Sequence, residues 1–307
     1  MRKFAITLTS FLVFGCAVQT TPPAPAPAPV AKAALPPPPP TEAKPVTDTY
    51  GTTTVTDPYR WLEDQNAPET RAWIDRQNAY TDAVLDPRPE LRPFAARIEQ
   101  LLKSDQASTP VYRNGRLFFT RRAADADVFS IYMRDGLTGT DQLLIDPAPW
   151  NAKHTTNVGI EDVTSDGKVL SYYVRQGGAD ETVVHFYDVD ARKDIGVELP
   201  LARYFGIAVT PDHRTVYFSK QLTEGSRLFR RAVAGGADEK LFGDAYSPDK
   251  IVSTVMSDDG RWLGVEVFYG SAGTKSDIFV KDLANDGPFK TAVNDIDSRT
   301  NFDFAGD

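Results

Sequence analysis

Over most of the chain, apolar residues come in short bursts of strand length, and each burst follows a tight polar turn. Leu117-Phe118-Phe119-Thr120, Val169-Leu170-Ser171-Tyr172-Tyr173, Thr215-Val216-Tyr217-Phe218 and Trp262-Leu263-Gly264-Val265-Glu266-Val267 are rich in β-branched and aromatic residues, the composition of strands. The turns before them are Arg113-Asn114-Gly115-Arg116, Ser165-Asp166-Gly167-Lys168, Pro211-Asp212-His213-Arg214 and Asp258-Asp259-Gly260-Arg261. Gly115, Gly167, His213 and Gly260 are equivalent, at intervals of 52, 46 and 47 residues. Asn-Gly and Asp-Gly supply the positive φ that a two-residue hairpin turn demands, and a histidine tolerates the left-handed region. A further strand follows in each repeat: Phe129–Tyr132, Val183–Tyr187, Leu228–Arg230 and Ile278–Val280. Shorter runs such as Leu143–Ile145 and Lys240–Phe242 come last. Four strands per repeat of this length predict the blades of a β-propeller. The turns count four blades, and a fifth begins at Asn301–Asp307. The expectation is a mainly β protein with an incomplete propeller over 107–307.

Before residue 107 the period changes from strand to helix. Trp73, Gln77, Tyr80 and Val84 recur at spacings of 4, 3 and 4, and Leu91, Phe94, Ile98 and Leu101 at 3, 4 and 3, each set sharing one helical face. Asn66 is the expected N-cap of the first helix, with Pro68 in its first turn and Glu69 at the capping-box position. Asp86-Pro87 ends it, and the second helix is expected to begin near Pro89. Residues 47–106 thus read as a helical segment whose apolar stripes need a partner surface.

The first 46 residues read as no fold at all. Arg2 and Lys3 precede an apolar stretch, Phe4–Phe14, too short to span a bilayer, which is the pattern of a signal peptide over 1–17. Two endings are open: lipidation of Cys16 as the first mature residue, or ordinary cleavage after Ala17. Either exports the chain, which fits a bacterial periplasm or envelope, and the first attaches it to a membrane through Cys16. Cys16 is the only cysteine, so no intramolecular disulfide or cysteine-based metal cluster can form. From 18 to 46 the chain is rich in Pro and Ala, with eleven of its 23 prolines between Pro22 and Pro45. It is expected to be a disordered, polyproline-like tether reaching roughly 80 Å.

Charge removes one class of partner. The net charge is -8, and no basic stripe is present to neutralise phosphates, so no nucleic acid is expected. The pairs Arg121-Arg122 and Arg230-Arg231 read as solvated strand edges. Candidate chemistry is sparse. His154, His185 and His213 are the three histidines. They lie in a loop, in a strand and in a blade turn, with no H-x-x-x-H or H-E-x-x-H spacing, so structural roles are expected and no metal. Asp125 and Asp127, like Asp188 and Asp190, read as solvated blade edges rather than acid–base pairs. Phe118, Tyr172, Tyr173, Phe186 and Tyr217 read as core.

A longer signature adds a family. The string DPYRWLED (57–64), followed by a helix reading ETRAWIDRQNAYTDAVL (69–85), resembles the N-terminal segment of the prolyl oligopeptidase family of serine peptidases. GRLFFTRR, VFSIYMRDG, LLIDPAPW and TSDGKVLSYYVRQGGADETVVHFYDVD resemble early blades of that family's seven-bladed propeller, so the resemblance covers about 47 to 307. It implies a C-terminal α/β-hydrolase domain against which the N-terminal segment packs, and a propeller that restricts access to short peptides. It also implies cleavage after proline through a serine in a G-x-S-x-G elbow beyond the propeller. Related oligopeptidases with basic-residue specificity share these motifs, so the specificity stays open. No G-x-S-x-G occurs here. On this reading the α/β-hydrolase domain is absent, about four blades of seven are present, and the chain alone carries no catalytic residue and no cofactor. Its partners are short, proline-containing peptides and the missing domain. Tyr59, Arg60 and Trp61 are expected to pack, with Arg60 paired to Glu63 or Asp64. A second reading is a non-catalytic, lipid-tethered propeller used as a binding module. A third is a structural envelope protein, for which no positive feature is found.

Overall fold

The computed structural model of the chain describes residues 35–305 other than 203 and 295. The expected signal peptide with Cys16 and the expected tether up to 34 lie outside the described residues. The chain divides between 94 and 95 into two compact units.

The first unit opens with a hairpin of β1 (Val46–Tyr50) and β2 (Thr53–Asp57). Helix α1 (Pro68–Leu85) follows. Its N-cap is Ala67, with no side-chain cap and Pro68 at the first helical position, where a missing N–H costs nothing. Asn66 therefore lies one residue too early to cap, and its N–H donates to Asp64 Oδ1 at 3.0 Å. Glu69 forms no capping box and instead pairs with Lys44. Arg60 takes Asp48 of β1 as its partner, not Glu63 or Asp64. Thr70, buried, donates to Trp61 O at 2.9 Å. The tether differs from expectation in its last residues. The stretch 36–44 is hydrogen-bonded to α1 and its surroundings, because prolines offer carbonyl acceptors that a helix with indole, amide and phenol donors can meet.

Helix α2 (Leu91–Leu102) runs across the division. It begins two residues after Pro89. Leu91, Phe94, Ile98 and Leu101 share a face as the spacing requires, and all four are exposed. No helix among the described residues is long and apolar enough to cross a membrane.

The second unit is four antiparallel sheets, which are the four blades. The first holds β3 (Gln106–Ala107), β4 (Val111–Arg113), β5 (Arg116–Arg122), β6 (Ser130–Asp135) and β7 (Gln142–Ile145). The second is β8 (Thr156–Val163), β9 (Val169–Gln176), β10 (Thr182–Asp188) and β11 (Lys193–Leu201), paired in sequence order. The third is β12 (Ile207–Val209), β13 (Thr215–Leu222), β14 (Gly225–Ala232) and β15 (Glu239–Phe242). The fourth is β16 (Ile251–Met256), β17 (Trp262–Phe268), β18 (Ser276–Asp282) and β19 (Lys290–Val293). The core lies between neighbouring blades. Phe118 and Ile131 of the first meet Leu170 and Tyr172 of the second. Val184, Phe186 and Leu199 of the second meet Val216 and Phe218 of the third. Leu228 of the third meets Val252, Leu263 and Val265 of the fourth.

The marker turns use two chemistries. Asn114 and Gly115 both have positive φ, 44° and 82°, as a two-residue hairpin requires. In the other three blades only Gly167, His213 and Gly260 are left-handed, and a side-chain cassette makes up the difference. Thr164, Thr210 and Ser257 donate to Asp166, Asp212 and Asp259 two residues on, at 2.8, 2.6 and 2.6 Å. The same hydroxyls accept the N–H of Val169, Thr215 and Trp262. This Asx-type bonding closes a longer turn without a second glycine.

Several charges read as solvated are ties between blades. Arg231, nearly buried, donates to Val197 O and Glu198 O of β11 at 2.6 and 2.9 Å. Asp190 accepts from Arg116 of β5 at 2.6 Å. Within single blades, Arg121 pairs with Asp141 and Arg230 makes two bonds to Glu239.

Candidate functional site

Strands β4, β8, β12 and β16, one from each blade, contribute residues to a polar cavity of about 410 Å³. Arg113 comes from β4, Glu161 and Asp162 from β8, Val209 from β12, Thr254 from β16, and Asp258 and Asp303 from the segments beyond. A second cavity of about 890 Å³ adjoins it between the first two blades and shares Arg113, Glu161 and Asp162. Val111, Phe129, Val158 and Tyr173 give this one an apolar wall. Tyr173, read from sequence as core, is half-buried here with the Arg175 guanidinium 5.3 Å from its ring centre. Gly159 sits opposite, and a β-carbon there would run into that ring. The glycine therefore lets the aromatic wall lie flat on β8.

Glu161 owes its position to a β-bulge. The register between β8 and β9 passes from Ile160–Tyr172 to Asp162–Ser171, which leaves Glu161 as the extra residue. Bulges re-aim side chains in this way. Glu161 is open to water in the groove yet enclosed by it on most sides. That enclosure pushes its carboxyl up to about 7, with Arg175 opposing and Asp162 adding to the rise. Burial also raises Asp162, against the N–H groups of Val163 and Val209 and the charge of Arg113, while Asp258 raises it further. Val163 N–H donates to Asp162 Oδ1 at 2.8 Å, and Arg113 Nε to Val163 O at 2.9 Å. Carboxylates gathered in a cavity in this way favour cations.

An acid whose pKa is higher in the folded chain keeps its proton longer when folded. Stability therefore falls as pH rises from about 4.5, the ordinary value, through about 7. Glu161→Gln is expected to raise the melting temperature at pH 8 and leave it nearly unchanged at pH 5. Thermal melts at the two pH values check this, and an equal gain at both would show that charge is not the cause.

The histidines are apart from one another. His154 Nδ1 lies 2.6 Å from Asp127 Oδ2. His185 stacks on Tyr172 at 5.1 Å, with Glu198 3.6 Å from its Nδ1. His213 reaches Asp166 of the preceding blade turn at 3.0 Å. Among the described residues no hydroxyl is hydrogen-bonded to a histidine ring, and no three histidine or carboxylate groups gather to hold a metal ion. Asp188 caps its own turn through Ala191 N–H at 2.8 Å. Cys16 lies outside the described residues. The convergence of Glu161, Asp162, Asp258 and Asp303 was not foreseen. They stand at different offsets from the blade turns, so the repeat does not mark them.

Comparison with known proteins points one way. The family profile for the prolyl oligopeptidase N-terminal beta-propeller domain matches residues 38–306. The prolyl endopeptidase of Elizabethkingia meningoseptica is 26% identical over 267 residues, which is 83% of this chain and 37% of that protein. The dipeptidyl aminopeptidase BI of Pseudoxanthomonas mexicana is 28% identical over 231 residues, 68% of this chain and 31% of its own. A solved prolyl endopeptidase superposes with a TM-score of 0.72 at 30% identity, covering 84% of this chain and 40% of the other. Oligopeptidase B from Leishmania major superposes with a TM-score of 0.66 at 15% identity, a likeness of fold alone. The chain spans about two fifths or less of the length of these relatives.

Proposed function

The chain belongs to the prolyl oligopeptidase family, whose N-terminal propeller domain it carries, and from that premise we propose that it is the gating part of an exported serine peptidase acting on short, proline-containing peptides. The observation that carries this reading is that one strand from each of the four blades, β4, β8, β12 and β16, lines a single polar cavity. A passage walled by paired strands admits an extended peptide and excludes a folded protein, whose width it cannot match. The acyl-transfer machinery itself, a serine with a histidine base, an orienting acid and an oxyanion hole, would be supplied by an α/β-hydrolase domain beyond the propeller. The exposed stripe of Phe94, Ile98 and Leu101 on α2 is the surface such a domain would cover, since an uncovered apolar stripe of this kind favours association. Export through the leader, by lipidation of Cys16 or by ordinary cleavage, places the enzyme in the periplasm or on the envelope.

The reading is tested by asking whether the native polypeptide that carries these blades reacts with a fluorophosphonate, the probe of an activated serine. The binding-module alternative predicts that it does not.

A further inference from the structure

The final part of the proline-rich tether lies on α1 in a regular way. Tyr80 Oη donates to Pro36 O at 2.6 Å, Gln77 Nε2 to Pro39 O at 3.1 Å, and Trp73 Nε1 to Thr41 Oγ1 at 2.9 Å. The helix residues fall at steps of four and three, so they form one row along one face. Pro36 and Pro39 are three apart, the repeat of a polyproline helix, so their carbonyls point the same way. Strap and helix run in opposite directions, with rising numbers on one meeting falling numbers on the other. The chemistry is matched as well as the spacing. A run of prolines has no backbone donors, and the three helix side chains all present donors to it. Beyond the row, Trp61 Nε1 donates to Glu42 O at 3.0 Å and Lys44 N–H to Pro58 O at 2.8 Å. Lys44 also pairs with Glu69 and lies 5.1 Å from the Trp61 ring centre.

We propose that the Trp73–Gln77–Tyr80 row of α1 is a polyproline-binding site, occupied in this chain by its own residues 36–41. Aromatic and amide donors reading the carbonyls of a preformed, low-entropy polyproline helix are a general mode of peptide recognition. Here the ligand is covalently attached, so it binds at high effective concentration. One consequence is mechanical: residues 36–45 are held along α1, which takes roughly 30 Å at 3.1 Å per residue from the reach expected of an extended 18–46 tether. Another is that the site should take a proline-rich peptide supplied in trans once the strap is loosened. Neither consequence depends on peptidase activity.

The test uses the full chain with Cys16→Ser and Leu35→Cys, and a nitroxide on the new thiol. The strap predicts a broad, slow-motion spectrum in this protein. Adding Gln77→Ala and Tyr80→Phe should narrow it, with a correlation time at least threefold shorter. Both changes remove hydrogen-bonding groups from half-buried positions and leave the blade cores untouched. A label equally mobile with and without these changes overturns the proposal. In a second measurement, a fluorescein-labelled peptide with the sequence of residues 36–44 is titrated against the unaltered chain and a Pro36→Gly, Pro39→Gly chain. At least tenfold tighter binding to the altered chain is expected, because its own strap no longer competes. Equal affinity for both, or binding to neither, overturns the assignment of a polyproline site.

Discussion

Replacing Phe218 by alanine should lower the stability of the blades by about 3–5 kcal/mol, the cost of emptying an aromatic-sized space in a close-packed core. The ring is fully buried on β13 and stacks with Phe229 at 5.8 Å. Its neighbours come from two blades: Val184, Phe186 and Leu199 from the second, Val216 and Phe229 from the third. The Arg231 guanidinium lies 6.0 Å from the ring, and that arginine ties β14 to β11. Deleting the ring therefore loosens a joint between blades as well as a core. Denaturant unfolding followed by circular dichroism should show the midpoint falling accordingly. A change below about 1 kcal/mol would mean that the cluster is not what joins the second blade to the third.

The second large effect is expected where two blades touch through backbone. Gly206 bonds to Ser219 on both sides: its N–H donates to the Ser219 hydroxyl at 2.7 Å, and its carbonyl accepts the Ser219 N–H at 3.0 Å. It is thus fixed against β13. A methyl group at this glycine would press on the backbone nitrogen of Thr254 in β16, and on Ser253. Backbone in a paired strand cannot rotate aside, so Gly206→Ala has to part the third and fourth blades. The expected cost is about 2 kcal/mol or more, at the upper part of the range for overpacking. Gly159→Ala is the comparison. Its methyl meets the ring of Tyr173, a side chain on the wall of a cavity, which can turn into open space. The Gly206 variant should therefore be the less stable of the two in the same unfolding experiment, and the reverse order would contradict the account of the joint.

Particular residues show what could be read in advance. The blades were legible because Gly115, Gly167, His213 and Gly260 all need a left-handed backbone, and all four have it, His213 with a φ of 62°. A local backbone demand leaves a local residue signal. The Thr164, Thr210 and Ser257 hydroxyls that complete three of those turns recur at a fixed offset, and serve as a signal only once their role is known. Glu161 was not legible, since a bulge depends on register between strands and leaves no mark in composition. Arg231 and Asp190 look solvated in the sequence because their partners are on other blades, 34 and 74 residues away. The strap is illegible in sequence for a different reason. Proline-rich composition says that a segment cannot build a core of its own, and does not say whether another element will hold it. Notably, the family profile match begins at residue 38, inside the strap.

The blades and helix α2 differ in what remains to be covered. The blades bury their aromatic residues against one another. Helix α2 keeps Phe94 at 65% and Leu101 at 59% exposure. Such a helix is stable mainly when another surface takes up its apolar face, which is the role proposed for a hydrolase domain.

The most direct measurement is fluorophosphonate labelling of native protein from source cells, followed by capture with antibodies raised against residues 107–307. The account predicts a labelled band well above the mass of this chain, with labelling blocked by a short proline-containing peptide. An unlabelled band at the mass of this chain, stable and present as the main species, would contradict it. These blades would then have to act by binding alone.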